Sequence, residues 1–219
     1  PDQSLRTAGS LIRRLWRLPL GVHCAALAVV AALCVVVGGA GVAYFSDEGA
    51  VMVQAALLER EGSWHFESPF ASIDPGQEAR PFQNGDLGTE GLAPYAKHPL
   101  YPKVLAWGGP STTFALAASL AGLVVSAGVS GLLSLRIGAS GSVARGVVWL
   151  VGLASPLLFD AGLIVAHTLA AAASAVAALA SIRWLEHRVQ PRPVRTGSAG
   201  AAVVAACLVA GMLRTEALF

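Results

Sequence analysis

The run from Gly21 to Phe45 contains no Asp, Glu, Lys or Arg over 25 consecutive residues. As a helix it would measure ~37 Å at ~1.5 Å per residue, more than the ~30 Å hydrocarbon core of a bilayer. A run of this kind restricts the chain to membrane architectures, and the composition agrees: 55% of the residues are apolar and 13% are charged, a balance far from that of a soluble domain. The expected fold class is an all-α polytopic membrane protein of about five transmembrane helices, with a large first loop carrying interfacial helices.

Charge sets the direction of the spans. Arg6, Arg13, Arg14 and Arg17 precede the first run, interleaved with Leu11, Ile12, Leu15, Trp16 and Leu18 as an amphipathic lead-in over residues 1–20. Basic residues concentrate on the cytoplasmic side of spans, so the N-terminus reads as cytoplasmic and the loop after residue 45 as extracytoplasmic. Thr112 to Leu135 forms a second span ending at Arg136, followed by a short basic linker to Arg145. Val143 to Ile182 would be ~60 Å as one helix, twice the thickness needed. Pro156, Asp160 and Gly162 interrupt it, so it reads as two spans with a tight outer turn, which also puts Arg183, Arg188, Arg192 and Arg195 on the cytoplasmic side. A last run from Ala199 heads outward. Residues 111–219 thus hold four further spans, and a chain that starts at Pro1 and stops at Phe219 within an apolar run reads as a piece of a longer protein. Cys24, Cys34 and Cys207 lie in apolar runs without close spacing and read as small core residues. The charge pattern gives no reason to invoke nucleic acid as a partner; membrane lipids are expected.

The loop from Ser46 to Pro110 holds nine of the thirteen acidic residues and is too long for a mere connector. It opens as a helix, with Ser46 as cap, Asp47 and Glu48 in the first turn, and Val51, Val53, Ala55, Leu57 and Leu58 as apolar surface. An acidic pair there complements the helix N-terminus; it either only caps the helix or supplies a general base. Pro99 and Pro102 are expected to break any helix in the segment from Tyr95 to Gly109, where Lys97, His98, Lys103 and Tyr101 bring donors to the interface. Asp160 and His167 flank the outer turn, and Arg214 and Glu216 lie ~22 and ~25 Å along the last run. Ionisable residues within membrane segments are costly and mark functional sites by default. All fall at the level of Asp47.

In this order, the acidic pair after the first span, the segment from His98 to Pro102, the proline and outer turn from Pro156 to His167, and the terminal GMLRTEALF resemble the N-terminal half of GT-C class membrane glycosyltransferases. That superfamily includes protein O-mannosyltransferases and lipid A aminoarabinose transferases. The resemblance implies transfer of a sugar from a polyprenyl-phosphate-linked donor to an acceptor on the extracytoplasmic face of a bacterial plasma membrane. Asp47 matches the first-loop aspartate that acts on the acceptor hydroxyl, with Glu48 assisting. From charge and depth, Lys97, His98 or Arg214 would stabilise the leaving phosphate. Tyr101, Asp160, His167 and Glu216 complete the expected substrate-binding set. Some members of the class use a divalent metal, for which His98, Glu48 and Asp86 could supply ligands; no spacing specifies a site. The acceptor is not legible.

Two other classes compete. A transporter or non-catalytic assembly subunit would use Arg214 and Glu216 to line a polar pathway, but the polar weight lies in one loop and at one level. The GASGS segment, Gly138 to Ser142, looks like a rhomboid protease serine motif with His167 as base; the charge rule puts Ser140 and His167 on opposite sides of the bilayer.

Overall fold

The computed structural model describes residues 14–39, 46–67, 72–73, 75, 92–94, 100–189 and 196–213. The elements are α1 (Leu20–Val37), α2 (Ser46–Glu61), β1 (His65–Glu67), β2 (Leu92–Pro94), α3 (Leu100–Trp107), α4 (Thr112–Arg136), α5 (Gly141–Leu153), α6 (Pro156–Asp160), α7 (His167–Val189) and α8 (Thr196–Leu213). Helix dominates, as expected. The one addition to the all-α expectation is a minimal antiparallel ladder in the long loop, with Phe66 opposite Ala93.

Among the described residues, three helices are long and apolar enough to cross a membrane: α1, α4 and the His167–Glu186 part of α7. Two shorter apolar segments, Gly141–Leu153 and Gly200–Leu213, accompany them. The outward face of α1 carries Val29, Leu33, Val36 and Val37, the last 85% exposed on the isolated chain. Such a surface calls for hydrocarbon around it.

The helices run alternately up and down. Leu20 of α1 approaches Gly131 late in α4, whereas Ala31 packs with Leu123 nearer the start of α4, so the two are antiparallel. Helix α5 runs with α1, pairing Gly152 with Leu27. Helix α7 runs in the same direction as α4: its start lies beside the middle of α4, with Gly122 against Thr168, and further on Arg136 at the end of α4 meets Glu186 at 3.2 Å. Trp184 late in α7 lies by Gly200 early in α8, which therefore returns. The bundle has two chemically different ends: Arg14, Arg17, Arg136, Arg145 and Arg183 gather at one, and α2, α3 and the turn between α6 and α7 pack at the other.

Small residues set the helix spacing. Along α4, buried Ser119, Gly122 and Ser126 face the start of α7 and the turn before it, and buried Gly131 faces α5 and the start of α1. A Cβ on Gly122 would stand 2.6 Å from the Thr168 carbonyl carbon and 2.7 Å from the Leu169 nitrogen. Backbone approach this close needs glycine, and it is how apolar helices gain dispersion contacts where lipid removes the hydrophobic drive.

Three expectations need correction. Helix α1 stops at Val37 instead of running to Phe45, because Gly38 and Gly39 close it with amides on Cys34 and Val36 and Gly39 takes φ 80°. That left-handed residue is an ordinary helix stop that apolarity hides. Pro102 lies inside α3, not in a broken segment; it falls in the first turn, where amides have no partner within the helix. Cys34 and Cys207 are exposed and Cys24 only partly buried, so none is a buried core residue. The apolar surface expected on α2 divides, with Val53 48% exposed and the inner face made of Glu48, Val51, Gln54 and Ala55, at helical spacing.

Candidate functional site

The chain from 161 to 166 links α6 to α7; the Ala161, Gly162 and Leu163 amides bond back to Leu157, Phe159 and Asp160 of α6, and groups further along the turn are met by side chains. Two elements supply them. From α2, Glu48 Oε1 accepts from the Ile164 amide at 2.7 Å. From α4, the Ser119 hydroxyl donates to the Leu163 carbonyl at 3.0 Å, with the Val165 carbonyl 3.4 Å away. At the base of the turn His167 Nδ1 lies 3.2 Å from Asp160 Oδ2. The turn is thus clamped from both sides and closed by a pair whose side chains remain 37% and 19% exposed.

The two acids of the first turn of α2 separate sharply. Glu48 is fully buried, while Asp47 is exposed. Consecutive helical residues diverge by ~100°, so anchoring Glu48 on the turn directs Asp47 outward beside it. The side chain of Ser46 lies outside the described set, although α2 does begin there.

Tyr101, expected at the interface, is instead a core residue of 2% exposure, packed with Val51, Leu105, Ala115, Ile164 and Leu213. Burial pushes its hydroxyl up to about 12, the nearby Glu48 carboxylate acts in the same direction, and the Ser119 hydroxyl opposes them. The contact with Ser119 falls short of good hydrogen-bond geometry, and Tyr101 Oη has no partner that meets it among the described residues. Leu213 brings the end of α8 into this same cluster. Arg214 and Glu216, the residues just beyond it, lie outside the described residues, as do Lys97 and His98. Lys103 is exposed, its ammonium 5.4 Å from the Trp64 ring centroid in a cation–π contact.

The structure therefore brings Glu48, Asp160 and His167 to one turn, with Asp47 one residue from Glu48 and Tyr101 beneath. Ser119 was missed by sequence reasoning; its signal is the Ser119, Gly122, Ser126 rhythm within a span. Among the described residues no group of three or more His, Cys, Asp or Glu converges as a metal site. Of the ligands considered, Glu48 is engaged on Ile164, while Asp86 and His98 lie outside the described residues, so no metal step is derived. Ser140, the alternative nucleophile, accepts from Val143 N at 3.4 Å as the cap of α5, at the opposite end of α4 from His167. No protein-family model, no curated protein and no solved structure matches the chain.

Proposed function

We propose that this chain contributes to a membrane glycosyltransferase of the GT-C kind, which moves a sugar from a polyprenyl-phosphate donor to an acceptor hydroxyl on the extracytoplasmic face. The observation that carries the reading is the split of the acidic pair: buried Glu48 fixes the start of α2 on the 161–166 turn, and Asp47, its neighbour in the same helical turn, is exposed. A solvent-facing carboxylate on a helical turn anchored at one end of an apolar bundle is an arrangement suited to general-base chemistry at a membrane surface.

In this reading the chain crosses the bilayer five times, with the arginine-bearing end cytoplasmic and α5 with α6 as the third crossing. The acceptor oxygen attacks the anomeric carbon as the bond from that carbon to the lipid phosphate oxygen breaks. The phosphate leaves with the bonding electron pair, Asp47 takes the acceptor proton, and the anomeric centre inverts. Arg214, Lys97 and His98 are the cations assigned to the leaving phosphate. Glu48 is a positioning residue.

The test is transfer from labelled polyprenyl-phosphate sugars in membranes containing the full-length protein. Asp47→Asn should lower transfer ~100- to ~10,000-fold, the span expected for loss of a general base, with normal accumulation in the membrane. Full transfer by that variant refutes the base assignment, and no transfer by the unaltered protein from any donor in the panel refutes the activity.

A further inference from the structure

At the other end of the bundle, His23 lies in the first turn of α1 and is 6% exposed. Its Nδ1 is 3.0 Å from Trp149 Nε1. An indole nitrogen only donates, so Nδ1 is the acceptor and the proton of the neutral ring sits on Nε2. That Nε2 donor is buried and has no hydrogen-bond partner among the described residues. The Trp16 carbonyl lies near the ring but makes no contact with Nε2 that meets hydrogen-bond geometry. Arg145, one helical turn before Trp149 on α5 and within electrostatic reach of His23, also has a buried Nε without a partner, and its guanidinium folds back over Gly141 at the start of α5. Two unpaired buried donors within electrostatic reach of each other, one of them cationic, call for an anionic acceptor.

What covers the site is slight. The Trp16 ring stands edge-on to His23 with centroids 5.5 Å apart, and it is held by a 2.8 Å bond from its Nε1 to the exposed Ser142 hydroxyl. The surroundings are those of a membrane interface: exposed Leu15 and Leu18 beside exposed Arg14 and Arg17, next to the apolar α1. Swinging Trp16 aside breaks one exposed neutral hydrogen bond and uncovers the His23 ring, which lies within electrostatic reach of Arg145.

We propose that this end of the bundle binds the phosphate of an anionic membrane lipid, with His23 Nε2–H and the Arg145 guanidinium as donors and Trp16 as a displaceable cover. The site is independent of the glycosyltransferase reading, being built from α1, α5 and the segment before α1. A net-negative headgroup is selected because Arg14, Arg17 and Arg145 disfavour a zwitterionic one carrying its own cation.

The experiment uses the full-length protein in a neutral detergent, with lipid retention followed by native mass spectrometry and thermal midpoint measured in parallel. Phosphatidylglycerol should be retained roughly tenfold better than phosphatidylcholine and should raise the midpoint. Arg145→Gln should lose that preference by roughly tenfold, the effect of one lost charged hydrogen bond, and Arg145→Lys should recover part of it. His23→Phe, read per folded molecule against its own lipid-free midpoint, tests the second donor without emptying the ring's volume. Trp16→Ala should retain phosphatidylglycerol at least as well as the unaltered protein. Equal retention of the two lipids, an unchanged preference in Arg145→Gln and His23→Phe, or an equal midpoint shift from inorganic phosphate at the same concentration overturns the proposal.

Discussion

Replacing Glu48 tests the clamp on the 161–166 turn directly. The carboxylate accepts from Ile164 N at 2.7 Å, and both residues are buried, at 0% and 3% exposure. A hydrogen bond to a charged group contributes ~1.5–3 kcal/mol, and a buried methylene adds ~0.8 kcal/mol. Glu48→Ala removes the bond and the Cγ methylene and leaves the Ile164 amide without this acceptor, so a loss of ~2–4 kcal/mol is expected from these terms. Glu48→Gln retains the chain length and an amide oxygen, losing only the charge assistance, for a cost of ~1 kcal/mol. The readout is hydrogen–deuterium exchange of the segment 161–166 in detergent or nanodiscs, where each ~1.4 kcal/mol of lost local stability is a tenfold fall in protection. Protection should fall ~30-fold or more in the Ala variant and no more than ~10-fold in the Gln variant. Unchanged exchange in Glu48→Ala, or equal damage from Gln and Ala, refutes the clamp.

Two further outcomes are expected. Gly122→Val places Cβ 2.6 Å from the Thr168 backbone, so α4 and α7 must separate by ~0.8 Å to reach ordinary contact; overpacking of this kind costs ~1–3 kcal/mol, and the unfolding midpoint in detergent should drop, whereas the same change at Gly146, which has open space around it, should not cause such a drop. Tyr101, held near 12, ionises after an unfolded tyrosine near ~10, so the unfolded chain releases its proton first. Stability from this residue is present below pH ~10 and declines from there up to about 12. A tyrosinate absorbance titration of the folded protein and of Tyr101→Phe should coincide through pH ~11 and diverge only near 12.

Elements marked by a residue that hydrocarbon does not tolerate were legible in the sequence. Pro156, Asp160 and Gly162 announced the break that became α6 and the turn to α7, and Ser111 and Arg136 bracket α4 where the apolar run suggested. Elements that end on glycine within an apolar run were not, since Gly38 and Gly39 read as more of the same hydrophobic stretch. The fates of Asp47 and Glu48 were illegible for a different reason. Both are acids in one helical turn, and which one is buried depends on the register of α2 against Ile164, 116 residues later in the chain. Tyr101 likewise looked interfacial because its neighbours are Pro and Lys. Only the packing of α3 with α2 and α8 shows that it points inward.

The broken helix after residue 141 explains how the Asp160–His167 pair comes to the level of α2. Helix α5 has 13 residues and rises only ~20 Å, against ~27 Å for the parallel 18-residue α1. Without the extra turn the chain would reverse a full helical turn short of the end where α2 docks. Helix α6 supplies that height, and the sequence makes the offset tolerable inside an apolar bundle. The Ser155 hydroxyl donates to the Val151 carbonyl at 2.6 Å, and its oxygen accepts from the Leu157 amide at 3.3 Å. One side chain therefore satisfies a carbonyl before the break and an amide after it, and Pro156, which has no amide proton, occupies the position between. A continuous helix would carry Asp160 along the axis of α5. The break instead lets Ala161 pack on Ala31 and Leu123 and presents Asp160 to His167 at the mouth of the turn that Glu48 holds.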